Sequence, residues 1–395
     1  MGGGPSRRTA GRRTAGRRPA GARPLVLYGM TSGVSARGFI RGQAPFLRDR
    51  GWDVALLCNE EADVARFAAE EGMRFLPVPL ERNPSWRSDL RAVRSLVGWL
   101  RGVRPSVAVW GTPKASLFGV AACRVLGVPT VYQVHGLRLE GASGVRRRVL
   151  AALESLTCRL ATVVVPVGHE LRESVAALSI VPANRVRLLA DGSCNGVAPS
   201  TGSPRYREAL GIAPSATVVT FAGRITRDKG LRELATAWER ITGTHPDAHL
   251  VVAGRVDGPD PAGPELAARL GSLPHVHLVG HVDDLENLWA DTDVCVLPSY
   301  REGLPLVVIE AATAGVPAVV TDCTGGREVV EPGRTGLVVP RRDAEALGRA
   351  LAVLLDDVGL RHEMGERARV RALARYDRDR LWGELDALLR EVARP

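Results

Sequence analysis

The stretch DVCVLPSYREGLPLVVIEAATAG, Asp293 to Gly315, runs from a short apolar segment through a Gly-Leu-Pro turn into a helical pattern. Asp293 to Pro298 is apolar and β-branched, the composition of a strand buried on both faces of a parallel sheet. A helix follows without a long loop, and Pro305 falls in its first turn, where a missing N–H is of no consequence. A strand that feeds directly into a helix N-terminus is the repeating step of an α/β sheet.

The same turn carries chemistry. The amides of Gly303 and Leu304 have no intrahelical partner, the helix dipole adds partial positive charge, and Gly303 admits close backbone approach, so a phosphate suits this junction. Glu302 and Glu310 flank the turn with seven residues between them. Glu302 lies at the rim, where a carboxylate can accept hydrogen bonds from sugar hydroxyls. Glu310 is embedded among Leu306, Val307, Val308, Ile309, Ala311 and Ala312, and a carboxylate in so apolar a run needs a partner. On this segment alone, a buried salt bridge behind a structural turn reads equally well.

Two further segments repeat the setting. FAGRITRDKGL, Phe221 to Leu231, follows another apolar strand and places Arg224 and Lys229 in one loop bounded by Gly223 and Gly230. Such a pair can grip a diphosphate, arginine as a planar fork and lysine as a point charge, although a solvated basic loop would look alike in isolation. TDCTGGREVVEPGRTGLVVP, Thr321 to Pro340, is a third strand-loop-helix element in the same half of the chain.

Together these three segments closely resemble the retaining glycosyltransferases of family 4, the GT-B fold group that includes capsule, exopolysaccharide and lipid-linked oligosaccharide enzymes. GFIRGQAPFLRDRGWDVALLC (Gly38 to Cys58), YQVHGLRLEG (Tyr132 to Gly141) and LLADGSCNGVA (Leu188 to Ala198) are similar to that family's acceptor-side helix, donor-sugar histidine loop and interdomain edge, so the resemblance covers about residues 25–380. It implies a nucleoside-diphosphate sugar, in family habit a UDP-sugar, as donor and a lipid-linked or polysaccharide acceptor. Arg224 and Lys229 would clamp the diphosphate, with amides from Gly303 and Leu304 and close approach at Gly223. Glu310 would receive the ribose hydroxyls, Glu302 would orient the donor sugar, and His135 would face that sugar across the cleft. Gly29, Thr31, Ser32 and Gly33 would line the acceptor side. The first loop, YGMTSGVSARG, lacks the compact Gly-Gly pair of many relatives, and Asp191 to Asn195 varies the usual interdomain loop, so acceptor details do not carry over.

Retention in that family is usually explained by front-face attack, with the departing diphosphate accepting the acceptor's proton. No metal or other cofactor is then expected, because two cations and a helix terminus supply the electrostatics. Asp291-Thr-Asp293 mimics a metal-binding D-x-D but precedes its strand, whereas ligands collect at carboxyl ends. An epimerase or phosphorylase on the same fold is the alternative; the only lysines, Lys114 and Lys229, do not sit in a pyridoxal-phosphate setting.

The chain has 395 residues, 45% of them apolar, enough for two cores, and its short apolar strands alternate with helical patterns. The expected architecture is two Rossmann-like, doubly wound parallel-sheet domains across a cleft. The expected division is a tail 1–24, a domain 25–198, a domain 199–376 and a helix 377–395 returning to the first domain. Strands are expected near 25–28, 53–58, 106–110, 129–134, 161–166 and 186–189, then 217–222, 249–253, 275–279, 293–298, 316–320 and 336–339. Six cysteines without C-x-x-C or metal-ligand spacing read as reduced core residues of a cytosolic protein.

Basic charge lies in the N-terminal half. Residues 1–24 hold seven arginines and no acid, much of it in the repeat RRTAGRRTAGRRPAG, and read as a disordered tail. Residues 25–199 hold 22 basic against 14 acidic residues, and residues 200–395 hold 24 against 29. No signal peptide or membrane span is expected, since no apolar run follows the arginines and none approaches about 20 residues. Residues 86–104 read as an amphipathic helix with Leu90, Val93, Val97 and Leu100 on one side and Arg87, Arg91, Arg94 and Arg101 on the other. With Arg146, Arg147 and Arg148 it suggests docking on an anionic membrane surface from the cytoplasmic side. A nucleic-acid-binding role is the remaining alternative, but no recognition motif accompanies the charge.

Overall fold

The computed structural model describes residues 23–80, 86–178, 181–256 and 260–394, so nearly all of the arginine-rich tail lies outside the described residues. Two six-stranded sheets form the frame. The first holds β1 (Leu25–Gly29), β2 (Asp53–Cys58), β3 (Arg74–Pro77), β4 (Val107–Trp110), β5 (Thr130–Val134) and β6 (Val163–Pro166), in the order β3-β2-β1-β4-β5-β6. The second holds β7 (Thr217–Ala222), β8 (Ala248–Ala253), β9 (Val276–Gly280), β10 (Val294–Leu297), β11 (Ala318–Thr321) and β12 (Gly336–Val339), in the order β12-β11-β10-β7-β8-β9.

Every strand pair is parallel, as strand-helix alternation requires. The inner strands β1, β4, β10 and β11 are buried throughout, which is why they read as unbroken apolar runs. The chain is a pair of doubly wound sheets of the GT-B type. In each, the strand order reverses once, between β1 and β4 and between β7 and β10, and these two switch points open crevices at the strands' carboxyl ends.

The structure corrects three local expectations. Arg74–Pro77 is an edge strand that its single fully buried residue, Leu76, and terminal proline conceal in the sequence. Residues 186–189 are not a strand: Val186 makes one isolated bridge to Val164 before the chain leaves β6. The helix Trp86–Val103 is rotated from the expected stripe, burying Ser88, Ala92, Leu96, Leu100 and Val103 and leaving Leu90 46% exposed among Arg87, Arg91 and Arg94. Small residues let its N-terminal half approach the core, so size rather than hydrophobicity sets the buried face there.

The C-terminal helix Arg378–Val392 starts at Asp377, whose side chain accepts from the Arg380 amide. Its face of Leu381, Trp382, Leu385, Leu388 and Leu389 joins the core beneath β1 and β2 in the first domain. Two indoles fix the register: Trp382 Nε1 donates to the Asn195 carbonyl at 3.0 Å, and Trp52 Nε1 donates to Asp386 at 2.7 Å. Gly42, at φ +81, leaves room for the Trp382 ring, which an added Cβ would meet at 2.7 Å. Trp382→Ala should therefore destabilise the chain by about 3–5 kcal/mol, the usual cost of deleting a buried aromatic ring. Denaturant unfolding checks this, and a loss within about 0.5 kcal/mol, the range of a surface substitution, would show that the helix is not a structural strap.

Candidate functional site

The loops after β7 and β10, at the second sheet's switch point, face the loops after β1, β4 and β5. After β10, Leu306–Thr313 is helical, with Pro305 just ahead of it at the capping position rather than inside its first turn. The Gly303 turn meets the first domain backbone to backbone, since a Cβ on Gly303 would stand 2.0 Å from the His135 carbonyl oxygen. Gly325, at φ +75, closes on the Gly303 carbonyl from the other side. Only glycine fits at 303.

The Arg224/Lys229 loop reaches the same place. Lys229 Nζ lies 2.5 Å from Glu302 Oε1, with both side chains largely buried. Asp228 supports the pair, accepting from the Thr226 hydroxyl at 2.6 Å and from Arg301 at 2.9 Å. Burial raises the Asp228 pKa, but the Thr226 hydroxyl and then Arg301, Lys229 and Arg224 more than offset it, leaving the carboxyl below its ordinary value. Arg224 is exposed at the loop's start, after Gly223, which has φ +158. The structure thus gathers Lys229, Glu302 and Gly303 on one helix start and pairs Glu302 with Lys229.

His135 follows β5 and stacks on Phe39, with centroids 3.9 Å apart and rings 12° from parallel. Burial pushes its pKa down to about 3, so the ring is neutral near neutral pH, and its Nε2 has no hydrogen-bond partner among the described residues. Glu310 lines a cavity of about 530 Å³ between the domains, with Gly33, Arg37, Arg41 and Arg255 also on its wall. Its Oε2 is buried without a partner among the described residues. Burial, then Glu286, pushes Glu310 up to about 7, with Arg41 opposing. A polar ligand would satisfy both orphaned atoms.

On the opposite wall, Ser32 caps the helix Gly33–Ile40 by accepting from the Ser35 amide. Thr31 is tied to Thr112 across the first switch point, 2.6 Å between hydroxyls and 2.9 Å from its amide. Gly33 reaches the cavity, whereas Gly29 is buried in β1 with the Trp110 ring filling the space a Cβ would need. Asp291 and Asp293 are already engaged: Asp291 accepts from the Arg205 and Tyr206 amides at 2.5 Å, and Asp293 accepts from Arg207 at 2.6 Å and the Val218 amide at 2.7 Å. They anchor the start of the second domain. Among the described residues no group of three or more His, Cys, Asp or Glu is placed to hold a metal.

One interdomain device escaped the sequence reading. Glu328 caps the first domain's helix His169–Leu178, accepting from the His169 amide at 2.8 Å and the Glu170 amide at 3.2 Å. Glu170 returns the contact, accepting from the Gly325 amide at 3.0 Å. The signal was the GGREVVE run, but nothing local shows that its capping target lies 159 residues away.

Residues 34–192 match the family described as glycosyl transferase 4-like domain, and residues 203–371 match glycosyl transferases group 1. The chain is 28% identical over 357 residues to the capsular polysaccharide biosynthesis glycosyltransferase CapM of Staphylococcus aureus, covering 88% of this chain and 92% of that one. It is 25% identical to the UDP-Gal:alpha-D-GlcNAc-diphosphoundecaprenol alpha-1,3-galactosyltransferase of Escherichia coli, covering 79% and 82%. Its fold is similar to that of Anabaena HepE, solved with UDP and glucose, at TM-score 0.79 and 20% identity over 93% of this chain and 99% of that one.

Glu310 gives a pH signature. Its folded pKa lies above the ordinary 4.5, so its contribution to stability is full below pH 4.5 and is lost as pH rises through about 7. Glu310→Gln should therefore stabilise the unliganded protein at pH 8 and leave it unchanged at pH 4. Melting curves at the two pH values decide this, and an equal shift at both would mean that Glu310 is not a buried titrating carboxyl.

Proposed function

The chain belongs to the group 1 and 4-like glycosyltransferases of cell-surface glycan synthesis, and from that premise we propose that it is a retaining transferase using a UDP-sugar. The acceptor in this reading is a lipid-linked or polysaccharide glycan, and the protein works in the cytoplasm. The observation that carries the proposal is the Lys229 ammonium held 2.5 Å from Glu302, beside the Gly303 and Leu304 amides at the start of the Leu306–Thr313 helix.

A diphosphate seated there meets Lys229, Arg224 and the two amides, which stabilise the charge that grows on the leaving oxygen. Its approach exchanges one anionic partner of Lys229 for another and frees Glu302 to accept from the donor sugar's hydroxyls. Glu310, reaching into the cavity with an unpartnered oxygen, accepts from the ribose. Neutral His135 borders the donor sugar without placing a second positive charge beside a developing oxocarbenium ion. As the sugar–diphosphate bond breaks, the acceptor hydroxyl bonds to the anomeric carbon on the same face and passes its proton to the departing diphosphate. Two cations and oriented amides provide the electrostatic work, so the reaction proceeds without a metal.

A thermal-shift screen with UDP-, GDP- and ADP-sugars tests the reading, because a ligand at 100 times its Kd adds about 2.7 kcal/mol of stability. Stabilisation by no nucleotide sugar would overturn it, and NMR of the product's anomeric configuration decides retention. Arg224→Ala or Lys229→Ala should lower turnover by about 10²-fold or more. Activity should survive EDTA; loss on chelation with rescue by Mn²⁺ or Mg²⁺ would refute the metal-free route.

A further inference from the structure

The helix Gly144–Leu160 turns an apolar stripe to solvent. Val145 is 76% exposed, Val149 52%, Leu153 40% and Leu156 46%. Their spacing of four, four and three residues places them in one stripe, and Ala152, also exposed, lies on it. The inward side mixes Leu150, Ala151 and Leu160, packed on the core, with polar groups: Glu154 accepts from the Tyr132 hydroxyl at 2.5 Å, Ser155 donates to the Leu178 carbonyl at 2.8 Å, and Thr157 and Cys158 are buried. Exposed Arg146 and Arg148 flank the stripe on its two sides, exposed Arg147 lies between them in sequence, and exposed Arg159 closes its far end. Single exposed aliphatic residues are ordinary, but four in helical register on one face are not.

The stripe begins at the mouth of the cleft. The turn Arg138–Gly141 leads into this helix, and Gly141 packs on Arg301, where an added Cβ would lie 3.3 Å from its Nε. Arg138 stands below the ordinary arginine range through burial, then through the guanidiniums of Arg301 and Arg146, so the helix's first turn shares the rim with the second domain's catalytic turn.

We propose that Val145, Val149, Leu153 and Leu156, with Arg146, Arg147 and Arg148, form an interfacial seat for an anionic lipid surface, holding the cleft mouth at the headgroup layer. An apolar stripe bordered by arginines is the chemistry of a helix lying in a membrane interface, its aliphatic groups below the headgroups and its guanidiniums among their phosphates. A second copy of the chain complements the stripe poorly. Parallel pairing sets the arginine clusters against each other, and antiparallel pairing sets each against the partner's Arg159. The arginine face of Trp86–Val103 is a weaker candidate, because Leu90 is the only strongly exposed large apolar group among that helix's described side chains. The proposal deepens the lipid-linked acceptor reading and rests on it, since an acceptor held in that surface would enter at the seated rim.

Co-sedimentation of the full chain with phosphatidylglycerol-rich vesicles and with pure phosphatidylcholine vesicles tests the seat. Wild type should bind the anionic vesicles and bind the neutral ones weakly. Leu153→Glu with Leu156→Glu, and separately Arg146→Gln with Arg148→Gln, should weaken anionic binding by about tenfold or more. Both variants should keep wild-type stabilisation by UDP, which shows that they fold and separates failure of the seat from failure of the donor assignment. Arg87→Glu with Arg91→Glu and Arg94→Glu should retain most of the vesicle binding. Undiminished binding by the helix variants, loss of binding only on deleting residues 1–24 or reversing Arg87, Arg91 and Arg94, or a wild-type dimer that Leu153→Glu with Leu156→Glu dissociates would each overturn the proposal.

Discussion

The angle between the two domains is the constraint on which the site depends, and a reciprocal exchange of carboxylates holds it. Glu328 of the second domain satisfies the free amides of a first-domain helix, and Glu170, at the start of that helix, accepts from Gly325. A carboxylate on a helix N-terminus answers both the unpaired amides and the dipole, so each bond is charge-assisted. Gly168 leaves the space: a Cβ there would stand 2.7 Å from Glu328 Oε2. The C-terminal helix completes the clamp from the other side, its leucines buried with the first domain while Tyr376 and Arg371, just before it, donate to the Glu328 carbonyl. With the angle fixed, Gly303 can meet the His135 backbone, and groups from both sheets border one cavity.

What was legible in the sequence is what chemistry writes locally. The strand-turn-helix of Asp293 to Gly315 announced a buried parallel strand and the helix start behind it because both depend on adjacent residues. The Arg224/Lys229 loop was legible for the same reason. Its partnership with Glu302 was not, since the ion pair joins loops 73 residues apart that only strand order makes neighbours. The D-x-D resemblance resolved in the same way: two carboxylates ahead of β10 capture the chain entering the second domain, a role visible only once Arg205 to Arg207 are folded beside them.

Errors of face have another cause. A helical wheel ranks residues by hydrophobicity, but the helix Trp86–Val103 buries Ser88 and Ala92 and exposes Leu90, because contact distance selected small residues at that end. In Gly144–Leu160 the inversion is stronger: a glutamate and a serine find hydrogen-bond partners inside, and four aliphatic residues face out. The arginine cluster was readable as charge. That it borders an apolar stripe required knowing which side of the helix the sheet covers.

Charge in the second domain shows why global sums mislead about sites. Residues 200–395 carry more acid than base, yet the proposed donor is an anion. At physiological ionic strength exposed charges beyond about 8 Å are largely screened, so the groups around the switch point decide the local potential. There Asp228 and Glu302 are matched to Arg301 and Lys229, the helix start adds oriented amides, and the nearest histidine is neutral through burial. Glu310, farther along the same helix, is held near 7, so its charge at rest is partial. A local balance of this kind needs no net positive domain to suit the proposed diphosphate at the helix start.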